Sequence, residues 1–247
     1  MNVNKIQTFI MTLKQRPDRY WSALGYLSAL GFSMNRVHTV MGKYWKDFDG
    51  YEDIVEAAAA DGFPFFMERE VRKKDKAPKR LGYLCNLWSG CRIFRHIAQQ
   101  TEPYLVLEDD VVPTISYEMF EKRLSALPNE TEIAILSMKQ QDEDTEMFDE
   151  NWVYGSYHEA AGAGAANVYT HKGAKMGLKY AAMPGIQTVE NIALHYPDEK
   201  VFCAANEVIR RNECGGHSDI EGSDPDYYNH RVFSRHKAWE NGINLGK

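Results

Sequence analysis

The sequence predicts a single-domain α/β fold, and three observations carry that reading. The chain opens as strand, loop, helix, strand, which is the start of a βαβ unit. Tyr104 to Leu107 is apolar on both faces, the pattern of a strand buried in a sheet covered by helices. The 247 residues, 44% hydrophobic and 26% charged, suit one sizeable core, and no repeat or low-complexity linker divides them.

The elements follow in order. Ile6 to Leu13 reads as the first strand. Pro17 suits the first turn of a helix over Tyr20 to Leu30, with Trp21, Leu24, Leu27 and Leu30 on one face and Gly31 ending it. Arg36 to Val40 is the second strand. Asp53 to Ala60 is helical by its alanine content, and the charged stretch Glu68 to Lys76 is a solvated loop. The helix from Leu81 to Gln99 turns Leu84, Leu87, Trp88, Cys91, Phe94 and Ile97 inward. After the Tyr104 strand come a helix at Tyr117 to Leu127, capped by Ser116, and a buried strand at Glu132 to Met138. Six acids among the nine residues Asp142 to Glu150 read as a mobile surface loop. Asn167 to Thr170 is a short strand, Lys172 to Tyr180 a helix, and Val201 to Ile209 a late strand.

Charge and cysteines narrow the class. A net charge of -6 argues against a protein that holds a phosphate backbone by bulk charge, although a local basic groove such as Lys73, Lys74, Lys76, Lys79 and Arg80 stays compatible with it. Cys85, Cys91, Cys203 and Cys214 lack C-x-x-C spacing, so they read as free thiols rather than a zinc site. No secretory signal opens the chain and no stretch approaches a membrane span. The expected location is cytoplasmic.

The chemistry concentrates in Leu105-Val106-Leu107-Glu108-Asp109-Asp110-Val111-Val112. An apolar run ends in three carboxylates and then resumes. Burying adjacent anions is costly without compensation, and a divalent cation compensates them. In extended backbone Glu108 and Asp110 point to one side and Asp109 to the other, which offers two hard oxygen ligands at a strand's carboxyl end. The alternative is a solvated strand end. Thr12-Leu13-Lys14-Gln15-Arg16-Pro17-Asp18-Arg19 places cations and amides at a helix N-terminus, either as a nucleotide or diphosphate site or as a basic turn. Gly162 to Ala166 is small enough for close backbone approach, without meeting the dinucleotide fingerprint. Gly215 and Gly216 precede His217 in a loop that can bring the imidazole to a metal, although a lone His is more often structural.

These segments carry a resemblance. Ile10 to Arg19, Leu81 to Gly90, Leu105 to Val111, Gly164 to Ala174 and Ser218-Asp219-Ile220 resemble, in that order, motifs of the family 25 glycosyltransferases. That family includes bacterial lipooligosaccharide galactosyltransferases and collagen galactosyltransferases. Coverage runs from about residue 5 to 221. Three positions depart: Tyr83 stands where the family has Glu, Gly90 falls near its His, and Glu190 takes the place of a late Asp.

The resemblance implies a GT-A fold with a mixed, mostly parallel central sheet flanked by helices. Residues 1–115 would form the nucleotide-sugar-binding half and 116–247 the acceptor-binding half. It implies an inverting transfer of a hexose, galactose or glucose, from a nucleoside-diphosphate sugar (a UDP-sugar first) to a hydroxyl. A saccharide or lipid-linked saccharide is the expected acceptor, with a hydroxymethylated DNA base or a hydroxylated protein side chain as the alternative. A sugar-nucleotide-binding protein without catalysis is a further reading. Thr12, Leu13, Lys14, Arg16, Arg19 and Asp109 would bind the donor. Asp110 would be the main ligand of Mn²⁺ or Mg²⁺, helped by Glu108 and by a late His217, and an imidazole ligand favours Mn²⁺. Glu190 would be the base, and Gly162, Gly164, Ser218 and Asp219 would meet the acceptor. A lipid-linked acceptor would bring the protein to a membrane surface.

Overall fold

The computed structural model describes residues 6–68, 78–138, 146–155, 165–186, 188–193 and 195–211. The first βαβ unit is present: β1 (Gln7–Thr12), α1 (Pro17–Ala29) and β2 (Val37–Met41), with β1 and β2 paired in parallel from Thr8↔Val37 to Thr12↔Met41. Next come α2 (Tyr51–Ala60), α3 (Pro78–Ile97) and β3 (Tyr104–Glu108), and β3 lies parallel to β1 on its other side. Then follow β4 (Val111–Pro113), α4 (Tyr117–Ser125), β5 (Ile133–Met138), β6 (Trp152–Tyr154), β7 (Ala166–Tyr169), α5 (His171–Ala181), α6 (Val189–Ala193), β8 (Val201–Ala204) and β9 (Ile209–Arg211).

Seven strands form one sheet in the order β2-β1-β3-β7-β5-β8-β6. β2, β1, β3, β5 and β8 run one way, while β7 and β6 run against them. The sheet is therefore mixed and mostly parallel, as the resemblance implies. Alternate residues feed two cores. Phe9, Val106, Ile133 and Cys203 pack under α2, α3 and α5; Ile10, Leu105, Leu107, Ala134 and Phe202 pack against α1 and α4. Both faces are covered, which is why β3 is apolar at every residue before Glu108.

The helices hold by local chemistry as well as burial. Ser116 accepts the Met119 N–H at 3.3 Å and caps α4, as its sequence indicates. Thr170 does the same for Gly173 at the start of α5. The six residues of α3 expected inward are all buried.

Two expectations on the elements need correction. Trp21 is 59% exposed, and α1 buries Arg19, Ala23 and Leu27 instead. Those three follow an i, i+4 spacing, and Trp21 sits two residues from the first two, on the far side of the helix. Arg19 takes the inward position because a carboxylate waits there. The late strand is two strands. β8 ends at Ala204, where Asn206 and Glu207 are exposed, and β9 pairs with β4 in a separate two-stranded sheet. Cys85, Cys91 and Cys203 are buried free thiols. No helix among the described residues is long and apolar enough to cross a membrane.

Candidate active site

The parallel strands β1, β2 and β3 end on the same edge of the sheet, and a cleft of about 580 Å³ including open solvent opens there. Its walls come from three places. Met11, Thr12, Leu13 and Arg19 belong to β1 and α1, Gly42 to Trp45 follow β2, and Gly82, Asn86 and Ser89 lie on α3. Glu108, Asp109 and Asp110 form its floor.

The main chain fixes that floor. The Glu108 N–H donates to Ala165 O at 2.7 Å and the Asp109 N–H to Met11 O at 3.0 Å. The Gly42 N–H donates to Thr12 O at 2.8 Å, which extends the β1–β2 pairing into the cleft. β3 ends at Glu108, and Asp109 and Asp110 form a turn. Extended backbone therefore stops at Glu108, so Asp110 reaches the cleft from a turn rather than from a strand face, and Glu108 and Asp110 both line it.

Each carboxylate has a different setting. Asp109 is 6% exposed, accepts the Thr12 hydroxyl at 2.6 Å, and pairs with the Arg19 guanidinium at 3.5 Å. Burial pushes its carboxyl up to about 6, against the opposing pull of Arg19 and Thr12. Glu108 accepts a hydrogen bond from the Asn86 amide at 2.9 Å. Asp110 differs from both: its Oδ1 is buried and has no hydrogen-bond partner. Such an atom is expensive unless something outside the chain compensates it. Among the described residues no three His, Cys, Asp and Glu side chains converge as a metal site. A cation shared with a diphosphate needs only one or two protein carboxylates, because phosphate and water oxygens supply the rest. The lone hard oxygen of Asp110 fits that arrangement.

Other expected residues fall as follows. Thr12, Leu13 and Arg19 line the cleft beside the three carboxylates. Arg16 is buried at the start of α1, where its guanidinium grips Asp18 through two hydrogen bonds of 3.1 and 3.0 Å. Lys14 is exposed. Glu190 lies on α6, whose Val189 packs onto α3 at Gly90, but its side chain lies outside the described residues. Gly162, Gly164, His217, Ser218 and Asp219 also lie outside them, as do Lys73, Lys74 and Lys76.

The rim Gly42-Lys43-Tyr44-Trp45 was not singled out by the sequence. Its Lys43 N–H donates to Ser89 Oγ at 2.8 Å, and the Lys43 ammonium stands 4.2 Å above the Trp88 ring. Ser89 in turn donates to Cys85 O at 2.8 Å, so this hydroxyl pins the rim to α3. Cys85 itself is buried, which pushes its thiol up to about 12 and leaves it inert as a nucleophile. Two adjacent aromatics after a glycine at a parallel strand's end were the available signal for the rim.

No family model matches the chain, and no curated protein matches it. Several solved structures are similar in fold. One is mouse xyloside xylosyltransferase 1 in its apo form, 9% identical over 79% of this chain and 83% of that one, with a TM-score of 0.42. Another is a protein from Bacillus anthracis described as a glucose-1-phosphate thymidylyltransferase, solved with sucrose, 11% identical over 98% of both chains, TM-score 0.45. A third is an active-site mutant of LgtC, 12% identical over 79% of this chain and 68% of that one, TM-score 0.37. The structures this chain is similar to thus include a xylosyltransferase.

Proposed function

We propose that the chain is a glycosyltransferase that moves a neutral hexose, galactose or glucose, from a nucleoside-diphosphate sugar to a hydroxyl acceptor, with a glycan or lipid-linked glycan preferred. The observation that carries this reading is the buried, unpartnered Oδ1 of Asp110 in a cleft that also holds Arg19 and two further carboxylates. Among the described residues, those lining the cleft fall between positions 11 and 110, which supports residues 1–115 as the donor half. The sequence motifs support a kinship with family 25 within this class, and we assign the cytoplasm, or its membrane surface, as the site of action.

Each residue has a task in this reading. The aromatics Tyr44 and Trp45 offer faces to a nucleobase. Arg19 gives positive charge to the diphosphate while Thr12 and Arg19 together hold Asp109 in place for the ribose. Asp110 and Glu108 are the carboxylates that would hold Mn²⁺ or Mg²⁺, which when bound supplies neutralising charge for the departing nucleoside diphosphate. His217, which lies outside the described residues, is our candidate for a further ligand. Glu190 takes the proton from the acceptor hydroxyl as its oxygen displaces the nucleoside diphosphate from the anomeric carbon, with inversion.

The deciding experiment incubates the protein with a panel of nucleotide sugars and Mn²⁺, without acceptor, and measures nucleoside diphosphate release. Slow hydrolysis of one donor is expected, and it identifies sugar and base together. Release of pyrophosphate from a nucleoside triphosphate and a sugar phosphate, with every nucleotide sugar left intact, would replace glycosyl transfer with nucleotidyl transfer.

A further inference from the structure

We infer that Asn86, acting with Glu108, reads the hydroxyl groups of the transferred sugar and so sets which donor is accepted; this rests on the donor reading above. Gly82, Asn86 and Ser89 are spaced by four and three residues and share the face of α3 that lines the cleft. Ser89 anchors the aromatic rim at one end of that face. Gly82 lies seven residues away, roughly 10 Å along the helix axis. Asn86 sits between them, and its amide donates to Glu108 Oε1 at 2.9 Å.

The chemistry of this pair selects its ligand. One amide N–H goes to Glu108; among the described residues Asn86 makes no other hydrogen bond, so its second N–H and its carbonyl oxygen remain for a ligand. A carboxylate accepts only, whereas a carboxamide both donates and accepts. A phosphate offers only acceptors and an overall negative charge, so it suits Arg19 and the cation that the carboxylates would hold, rather than the Asn86–Glu108 pair itself. A sugar hydroxyl donates to the carboxylate and accepts from the amide, which fits both partners at once. The same argument excludes sugars that bear a carboxylate. The subsite therefore takes a neutral, polyhydroxylated sugar and is sensitive to the configuration of the hydroxyl that bridges Asn86 and Glu108.

The test uses the full chain and its variants Asn86→Ala and Asn86→Asp, with calorimetric titration in Mn²⁺ against UDP, UDP-glucose, UDP-galactose and UDP-glucuronic acid, and against GDP and its sugars. Wild type should bind one neutral sugar nucleotide best and the glucuronic acid derivative worst. Asn86→Ala should leave affinity for the bare diphosphate unchanged, weaken the preferred sugar nucleotide roughly tenfold or more, and narrow the gap between epimers. Asn86→Asp keeps the shape and should lose the same selectivity, which covers the case of a poorly folded alanine variant. Equal weakening of diphosphate and sugar nucleotide would overturn the inference and leave Asn86 as a prop for Glu108. Unchanged binding of every ligand would overturn it as well. If wild type binds no nucleotide at all, the donor reading itself falls.

Discussion

Three adjacent carboxylates share a cleft yet differ in what they can do. Asp109 is committed to Thr12 and Arg19, Glu108 to Asn86, and Asp110 keeps one buried oxygen without a hydrogen bond. Asp110→Asn should therefore abolish donor turnover without lowering the melting temperature, since the native fold gains nothing from that oxygen. EDTA should silence the wild type and Mn²⁺ restore it. Full turnover in chelator would rule out a bound cation. Glu190→Gln should slow transfer by about 10²–10⁴-fold with donor affinity kept, the usual effect of losing a general base; an unchanged rate would move the base elsewhere. The sequence made these acids legible because three consecutive charges after an apolar strand are chemically anomalous. It did not show that Arg16 pairs with its neighbour Asp18.

Between elements, small residues decide how closely helices approach. A Cβ on Gly90 would come within 2.6 Å of Val189 Cγ2, so α6 rests directly on α3 at that point. A side chain as large as histidine has no room at this position. Gly90→His should destabilise the fold by about 1–3 kcal/mol through overpacking, read by denaturant unfolding; a stable variant would show that α6 yields easily. Asp61 joins α2 to α3 through the Trp88 indole at 2.9 Å and through Arg92 and Arg95. Its carboxyl is held below the ordinary 3.8: desolvation pushes it up, but the Trp88 hydrogen bond and the two arginines outweigh that. A lowered folded value gives stability that is present above pH 3.8 and lost as pH falls through the folded value. Asp61→Asn should thus cost about 1 kcal/mol at neutral pH, modest because solvent screens the partly exposed pair. The difference from wild type should vanish in strong acid, and melts at both pH values check it. Long periodic helices such as α3 were legible. β4, β6 and β9 were not, because three residues carry no measurable period.

For the molecule as a whole, the opening βαβ unit and the apolar β3 were enough to predict the α/β class and a buried strand, while the mixed sheet followed from the resemblance. The antiparallel β7 between β3 and β5 was not readable from one chain, since strand order depends on partners far away in sequence. The cleft's rim escaped for the same reason: Lys43 meets Ser89 across 46 positions. The way the floor and the rim are held has a further consequence, in time rather than space. The amides of Glu108 and Asp109 are locked to Ala165 on one side and Met11 on the other, whereas the Lys43 amide rests on a single side-chain hydroxyl. Hydrogen–deuterium exchange should find the first two as slow as the centre of the sheet and residues 43–45 much faster. A nucleoside diphosphate should then slow the rim alone. Uniformly slow exchange before ligand would mean a rim already set. Rapid exchange at Glu108 and Asp109 would mean the opposite, a carboxylate floor assembled only when the donor arrives. With the floor rigid, the entropy lost on binding falls on three or four residues, and the rate of donor release is set by how readily they let go.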